Sequence, residues 1–220
     1  MNSQLAWYVA RSTGLVGWAL LTASVLWGLA ISTKATIGGR RPRPNWMLDM
    51  HRYLGALATI FVGVHVLALI ADSSVQFDLV SVLVPFASSW KPTAVAWGVV
   101  AMYLLLAVEL TSLARVHLPR KVWRMVHFAS LPLFVVATLH GLTAGTDAGS
   151  TTFVLAATAA VLAVGALTFR RVREAMHPAP TTRPRIPAAA RGDRPSTARS
   201  AAHAPTATPA LPAARTPEMV

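Results

Sequence analysis

Cysteine is absent from the 220-residue chain. Its absence excludes disulfides, Cys-ligated iron–sulfur clusters, thiolate zinc sites and the covalent attachment of a c-type haem. Any metal that the chain binds must therefore be held by histidine or by oxygen ligands.

Charged residues are also scarce, and acidic ones are the rarest. Only 13% of the residues are charged, with 8 Asp and Glu against 20 Lys and Arg, whereas 54% are hydrophobic. Soluble domains carry about 25% charged residues, so this composition predicts an integral membrane protein. The net charge of +12 would suit nucleic acid, but the cations lie between apolar segments and in the last part of the chain. That distribution indicates membrane topology and no nucleic-acid partner.

Long apolar segments predict an all-α membrane bundle of about five transmembrane helices. A hydrocarbon core needs about 20 apolar residues per helix. The segments that meet this requirement are residues 5–31, 50–71, 92–114, 125–143 and 151–169. The first, which follows a short segment at 1–4, is expected to be a retained span, because Arg11 lies inside it and no basic stretch precedes it. Residues 77–90 are too short to span and contain Pro85, so we expect an interfacial or re-entrant piece at the outer face.

Positive residues in alternate loops predict the orientation. The cations after the first, third and fifth segments are Lys34, Arg40, Arg41, Arg43, Arg115, Arg120, Lys121, Arg124, Arg170, Arg171 and Arg173. The other loops, 72–91 and 144–150, contain only Lys91 as a cation. Because Lys and Arg are retained on the cytoplasmic side, the N terminus is expected outside and the C terminus in the cytoplasm of a multi-pass cell-membrane protein.

Two of the predicted helices each carry a pair of histidines. His51 and His65 are fourteen residues apart, and His127 and His140 are thirteen apart, which separates the members of each pair by about 20 Å along a helix. Both helices run outward, so His51 matches His127 in depth and His65 matches His140. Ionisable groups inside membrane spans usually mark function. The arrangement suits two haems stacked across the bilayer, each with one axial His from each helix.

Helical geometry supports the inner haem more than the outer one. Fourteen residues leave His51 and His65 within about 40° of one another around a straight helix, but thirteen leave His127 and His140 about 140° apart. Pro132 lies between the second pair and predicts a kink. Whether the kink brings His140 to the haem side stays open at the level of sequence.

The motifs around these histidines resemble those of a known family. The sequence has "HRYLG" with a second His fourteen residues on, and "WRMVH" with a second His thirteen residues on in "HGL". This pattern resembles the ferric reductase-like transmembrane domain, which ferric-chelate reductases, NADPH oxidases and the haem subunit of methionine-sulfoxide reductase share. The resemblance implies one haem b on His51 with His127 and another on His65 with His140.

The resemblance covers residues 5–145, before a final helix at 151–170 and a tail at 175–220. The tail is rich in Pro, Ala and Arg and is predicted to be disordered, held at most near anionic lipid. Larger members append a flavin and nicotinamide domain, but no G-x-G-x-x-G follows a strand here, and the usual six spans are five. The resemblance therefore implies an electron-transfer component of an oxidoreductase. Its donor would be a cytoplasmic flavin-dependent reductase, and its acceptor an extracytoplasmic protein or ferric chelate.

Three arginines are predicted to bind haem propionates. Arg52 is adjacent to His51 and Arg124 lies one turn before His127, so both suit the inner haem, while Arg11 suits the outer one. The alternatives are that Arg52 and Arg124 serve only membrane topology, and that Arg11 extends to the outer interface.

Glu109 is the only carboxylate well inside a span. We expect it to bond Arg52, Arg115 or Arg124, with a proton-coupled role as the alternative. Aromatic residues that could pack on a porphyrin face, or that could equally face lipid, are Tyr53, Trp123, Phe128 and Phe134. No role is assigned to His117, His177 and His203.

Two other functions remain open. The first is a membrane anchor for a redox complex, in which haem is structural. The second is a proton or metal transporter without haem that uses Glu109 and the four membrane histidines. A proton relay would need acids and hydroxyls between the imidazoles, and the intervening segments are almost wholly apolar.

Overall fold

The structure, a computed structural model, describes residues 3–33, 43–72 and 77–177. These residues form helices and loops with no strand, which confirms the predicted all-α class. The last helix continues to Met176, so the first residues of the predicted tail are helical. The predictions that fall outside the described residues concern Lys34, Arg40, Arg41, His203 and the tail from residue 178.

Seven α-helices lie in the described part of the chain. They are α1 (Ser3–Ser32), α2 (Pro44–Ala71), α3 (Leu79–Leu83), α4 (Pro92–Leu113), α5 (Arg120–Phe128), α6 (Ser130–Ala144) and α7 (Thr151–Met176). Five stretches are long and apolar enough to cross a membrane: Gln4–Ser32, Pro44–Ala71, Pro92–Val116, Arg120–Ala144 and Thr151–Met176. The prediction of a multi-pass protein with five spans is confirmed.

Proline and serine mark where the spans begin. Pro44 and Pro92 each occupy the first turn of their helix, where the missing N–H would have had no intrahelical partner. The Ser150 hydroxyl accepts a hydrogen bond of 3.2 Å from the Phe153 N–H and caps α7, satisfying one of the free donors at that helix end.

The segment at 77–90 contains only the short helix α3. The Asp78 carboxylate accepts hydrogen bonds from the hydroxyl and from the backbone N–H of Ser81, the latter at 2.8 Å. These bonds stabilise the ionised form and hold the pKa of Asp78 below its ordinary value. The hydroxyl of Tyr103 donates to the Leu83 carbonyl at 2.6 Å and ties the segment to α4.

The fourth span is broken between α5 and α6. Pro132 has no N–H for the carbonyl of Phe128, and its ring crowds that carbonyl. Ala129 accordingly leaves the α-helical path, with φ −63° and ψ −9°, and its N–H bonds the Val126 carbonyl three residues back. The helix is therefore interrupted at Ala129, three residues before Pro132, and α5 ends one residue after His127.

Glycines let α1 lie close along α2. A Cβ on Gly17 would come within 3.3 Å of Val62, so the two helices approach more closely there than larger residues would allow. The indole N–H of Trp18 donates to the Thr138 hydroxyl at 3.1 Å and joins α1 to α6. The buried core between the spans consists of Leu21, Val25, Leu29, Ala58, Ala101, Leu105, Leu133, Phe134, Ala160 and Val164.

Candidate functional site

The four membrane histidines meet in two pairs. The ring centroids of His51 and His127 lie 5.9 Å apart with an angle of 81° between the ring planes. Those of His65 and His140 lie 6.4 Å apart at 76°. The break in the fourth span thus leaves both of its histidines opposite α2, although a straight helix would turn them apart.

The separation within each pair suits one metal ion between the rings. With metal–nitrogen bonds of about 2 Å and ~1.1 Å from each nitrogen to its ring centroid, two imidazoles on opposite sides of an ion have centroids about 6 Å apart. Both pairs have this separation. In the part of the chain that the structure describes, no three His, Asp or Glu side chains come together to hold a metal. Each pair would supply two of the ligands of a haem iron, whose porphyrin would supply the remaining four.

Backbone carbonyls orient three of the four imidazoles. The hydrogen-bond distances from Nδ1 to the carbonyl oxygen are 3.0 Å for His51 and Ser24, 2.7 Å for His65 and Ala10, and 2.8 Å for His140 and Ala94. A carbonyl oxygen only accepts, so Nδ1 carries the proton and donates. Nε2 then keeps its lone pair, which is the form of histidine that binds metal.

His127 differs from the other three histidines. Its Nδ1 is buried and has no hydrogen-bond partner among the described residues. The Trp123 ring stacks on it, with centroids 5.1 Å apart and 23° between the planes. The Arg115 guanidinium lies over the same indole, 6.0 Å from its centroid. We call this arrangement the Arg115–Trp123–His127 stack.

Glycines opposite three histidines provide the space that the rings occupy. An added Cβ would lie 3.1 Å from His51 at Gly28, 2.9 Å from His65 at Gly14 and 2.6 Å from His140 at Gly98. Gly14 and Gly28 are fourteen residues apart on α1, as His51 and His65 are on α2. Sequence reasoning missed these glycines, although the equal spacing on two successive spans was a signal that could have revealed them.

The outer pair lines a cavity of about 270 Å³. Ligand pockets in proteins begin at about 300 Å³, so the cavity is close to the range for a bound cofactor. Its aromatic lining residues are Trp7, Trp18, Phe77, Trp90 and Phe153. The donor set of two imidazoles, an apolar wall and a cation fits the predicted haem.

Arg11, the predicted propionate ligand of the outer haem, lines this cavity and has a partner that the sequence did not reveal. Its guanidinium forms a two-pronged ion pair with the Asp147 carboxylate, with Nε 2.7 Å from Oδ2. It also lies over the Trp7 ring, 5.1 Å from the centroid. Arg11 is therefore at the outer pair, and Asp147 offsets its charge.

The two arginines predicted for the inner haem are both exposed. Arg52 approaches Asp49 at 3.7 Å, and the side chains are 54% and 72% exposed, so this pair adds little to stability. Arg124 lies one turn from His127 on α5. Their role at the inner haem stays a prediction.

Glu109 faces α2 without the ion pair that was expected. A Cβ on Gly55 would lie 3.3 Å from its Oε2, which places the carboxylate one turn from His51 along α2. Within the described residues no ion pair joins Glu109 to Arg52, Arg115 or Arg124.

The aromatic candidates fall into different environments. Phe134 is buried in the core between the spans, and Tyr53 is 60% exposed. Phe128 lies under the Arg171 guanidinium, 5.1 Å away. Of the four, Trp123 is the one whose ring stacks on a membrane histidine, His127.

Comparison with known proteins identifies one family that the chain matches. Residues 13–138 match the family described as ferric reductase like transmembrane component. The matched range contains three of the four membrane histidines and ends two residues before His140. No curated protein and no solved structure matches the chain.

Proposed function

The chain belongs to the ferric reductase-like transmembrane family, and on that premise we propose that it carries electrons across a membrane through two b haems. Members of the family generally bind haem. The observation that carries the proposal is the pair of facing imidazoles at each of two depths, about 6 Å between centroids as two axial ligands require.

His51 and His127 would hold the inner haem, and His65 and His140 the outer one. Bound haem supplies reversible one-electron chemistry at iron. Two imidazoles per iron fill both axial positions, so the residues favour electron transfer over the binding of oxygen or substrate. The carbonyls that accept from Nδ1 fix the rings and make Nε2 a stronger electron donor to a metal.

The two pairs lie at different depths of the bilayer. Fourteen residues of α2 separate His51 from His65, a distance of about 21 Å along the helix, within a hydrocarbon core about 30 Å thick. The cations after the first, third and fifth spans support an outside N terminus and a cytoplasmic C terminus. Electrons would then pass from a cytoplasmic flavin-dependent reductase to an acceptor protein or ferric chelate outside, because flavin or NAD(P)H reductases are typical partners of the family.

The alternatives have less support. Among the described residues no three metal-ligating side chains come together, so a metal-transport path has only the two-histidine pairs to support it. The remaining alternative, a membrane anchor with structural haem, shares the ligands and differs only in whether electrons cross the membrane.

Transmembrane electron transfer can be measured in vesicles. Ferricyanide is trapped inside vesicles that contain the purified protein, photoreduced flavin mononucleotide is added outside, and the loss of ferricyanide colour is followed. We expect the wild-type protein to reduce the trapped ferricyanide and His65→Ala to lose this activity. His117→Ala, which changes an exposed loop histidine, is the matched control and should behave as the wild type. A wild-type rate equal to that of protein-free vesicles would contradict the proposal. It would favour the alternative of a membrane anchor with structural haem.

A further inference from the structure

The Arg115–Trp123–His127 stack connects an exposed cation to a ligand of the inner pair. Arg115 is exposed at the end of the α4 span, Trp123 is half-buried on α5, and the imidazole of His127 lies behind the indole. Trp123 and His127 are four residues apart and lie on one face of α5. The indole therefore contacts both the exposed guanidinium and the imidazole of the inner pair.

The Trp123 ring has an N–H that is unpaired among the described residues, which simple packing does not explain. Nε1 of Trp123 is buried with no hydrogen-bond partner in the described part of the chain, which is unfavourable for an N–H group. A phenylalanine would fill much of the same space without that cost. The presence of an indole thus points to a use of its larger π system in electron transfer. Alternatively, a bound partner supplies a hydrogen-bond acceptor for the N–H.

Three of the six exposed residues of α5 are basic. Arg120, Lys121 and Arg124 are all exposed, whereas Trp123 and His127 are turned inward. Arginine recognises phosphate through paired N–H donors and stacks on aromatic rings. Arg115, which already lies over the indole, would bring an anionic planar molecule to the outer edge of the stack.

We infer that Trp123 is the residue through which electrons reach the inner pair, and that Arg115 and the exposed cations of α5 bind the phosphate of a reduced flavin nucleotide. This inference rests on the proposed function. The donor would lose one electron, and a haem iron held by His51 and His127 would gain it and pass from ferric to ferrous. No bond forms or breaks, and no proton moves on the protein. A free flavin and a flavin held by a reductase present the same phosphate and ring.

The first experiment separates electron delivery from haem binding. The haem-loaded proteins are the wild type, Trp123→Phe, Trp123→Leu and, as matched control, Trp46→Leu at the same end of the bundle. Reduction by photoreduced flavin mononucleotide is followed by stopped flow, with haem content and midpoint potentials measured alongside. We expect Trp123→Leu to slow reduction roughly tenfold, Trp123→Phe to be intermediate, and Trp46→Leu to be unchanged.

Haem content and potentials distinguish a conduit from a structural residue. Both should stay at wild-type values in Trp123→Leu, and oxidation of the pre-reduced protein by ferricyanide should keep its rate. Reduction of Trp123→Leu at the wild-type rate would overturn the inference, and so would slow reduction that accompanies loss of haem or a shifted potential. A wild-type protein without haem would instead refute the proposed function, so the two failures are distinguishable.

The second experiment tests the docking surface. Arg115→Gln should raise the half-saturating concentration of flavin mononucleotide roughly tenfold, the effect of one charge-assisted hydrogen bond, with the saturating rate unchanged. Riboflavin, which lacks the phosphate, should be insensitive to the substitution. If the half-saturating concentration is unchanged and binding to anionic lipid vesicles is weaker, the cations bind lipid headgroups. That result would overturn the inference that they bind the flavin phosphate. Repeating the titration with a flavin-bearing reductase in place of free flavin identifies which source docks.

Discussion

At the scale of single residues, the site depends on what surrounds each imidazole. Three Nδ1 atoms donate to backbone carbonyls of neighbouring helices, so Nδ1 carries the proton and Nε2 keeps the lone pair that can bind a metal. The histidines and their spacing could be read from the sequence. Trp123 was a candidate for packing on a porphyrin face, but neither its stacking on His127 nor the carbonyl acceptors could be read from the sequence, because a carbonyl has no sequence signature and ring stacking depends on how α5 is rotated.

Glycine at position 98 should be essential for the outer pair. A Cβ there would lie 2.6 Å from Cε1 of His140, so Gly98→Ala must displace the imidazole. We expect haem content to fall from two to one per chain, measured as the pyridine haemochrome. Gly63 lies on α2 with nothing within 4 Å of an added Cβ, so Gly63→Ala should keep both haems and gain about 0.5–1 kcal/mol of helix stability. Equal haem content in both variants would show that the clearance at Gly98 is unimportant.

At the scale of elements, hydropathy located all five spans and misplaced two of their starts. The second span begins at Pro44 and the fourth at Arg120, about one turn or more before the predicted starts at 50 and 125. The early turns carry charged residues at the membrane surface, which lower the hydropathy without ending the helix. Pro44 in the first turn is a start signal that hydropathy ignores.

The break in the fourth span also shows a limit of sequence reasoning. A straight helix separates residues thirteen apart by about 140°, yet His127 and His140 both face α2. Pro132 predicted a kink, but the position of the interruption at Ala129 depends on local hydrogen bonding. The sequence therefore supported the inner pair better than the outer one, and the structure brings both together.

Removing the proline should disrupt one pair. Pro132→Ala restores the N–H that can bond the Phe128 carbonyl, so the α5–α6 span can continue as one helix and turn His140 away from His65. We expect loss of the outer haem with retention of the inner one, seen as halved haem content. Pro85→Ala, in the segment outside the spans, is the control and should keep two haems. If Pro132→Ala binds two haems with normal potentials, the kink is not what aligns the pair.

At the scale of the whole molecule, the distribution of charge predicts how the chain is oriented in the membrane. Most of the described lysines and arginines lie in the α4–α5 region and at the end of α7, whereas the loop before α7 carries Asp147. Because cations are retained on the cytoplasmic side, the His51–His127 pair should be the cytoplasmic one. The Arg115–Trp123–His127 stack would then face the electron donor.

The orientation can be tested because the chain has no cysteine of its own. Single cysteines introduced as Gly149→Cys and Lys121→Cys lie in exposed positions on opposite sides of the predicted membrane. In intact cells a membrane-impermeant maleimide should label Gly149→Cys and leave Lys121→Cys unlabelled until the membrane is permeabilised. The reverse labelling pattern would contradict the predicted orientation and would place the His51–His127 pair at the outer side of the membrane.

The central claim is that each of the two histidine pairs holds one haem. The most direct measurement is the reduced-minus-oxidised spectrum and pyridine-haemochrome stoichiometry of the purified protein, for the wild type, His65→Ala, His127→Ala and the control His117→Ala. The account predicts two b haems per chain in the wild type and control, and one in each of the other variants, with a different haem lost in each. A folded, membrane-inserted wild type without haem, or with a haem content that neither substitution lowers, would contradict it.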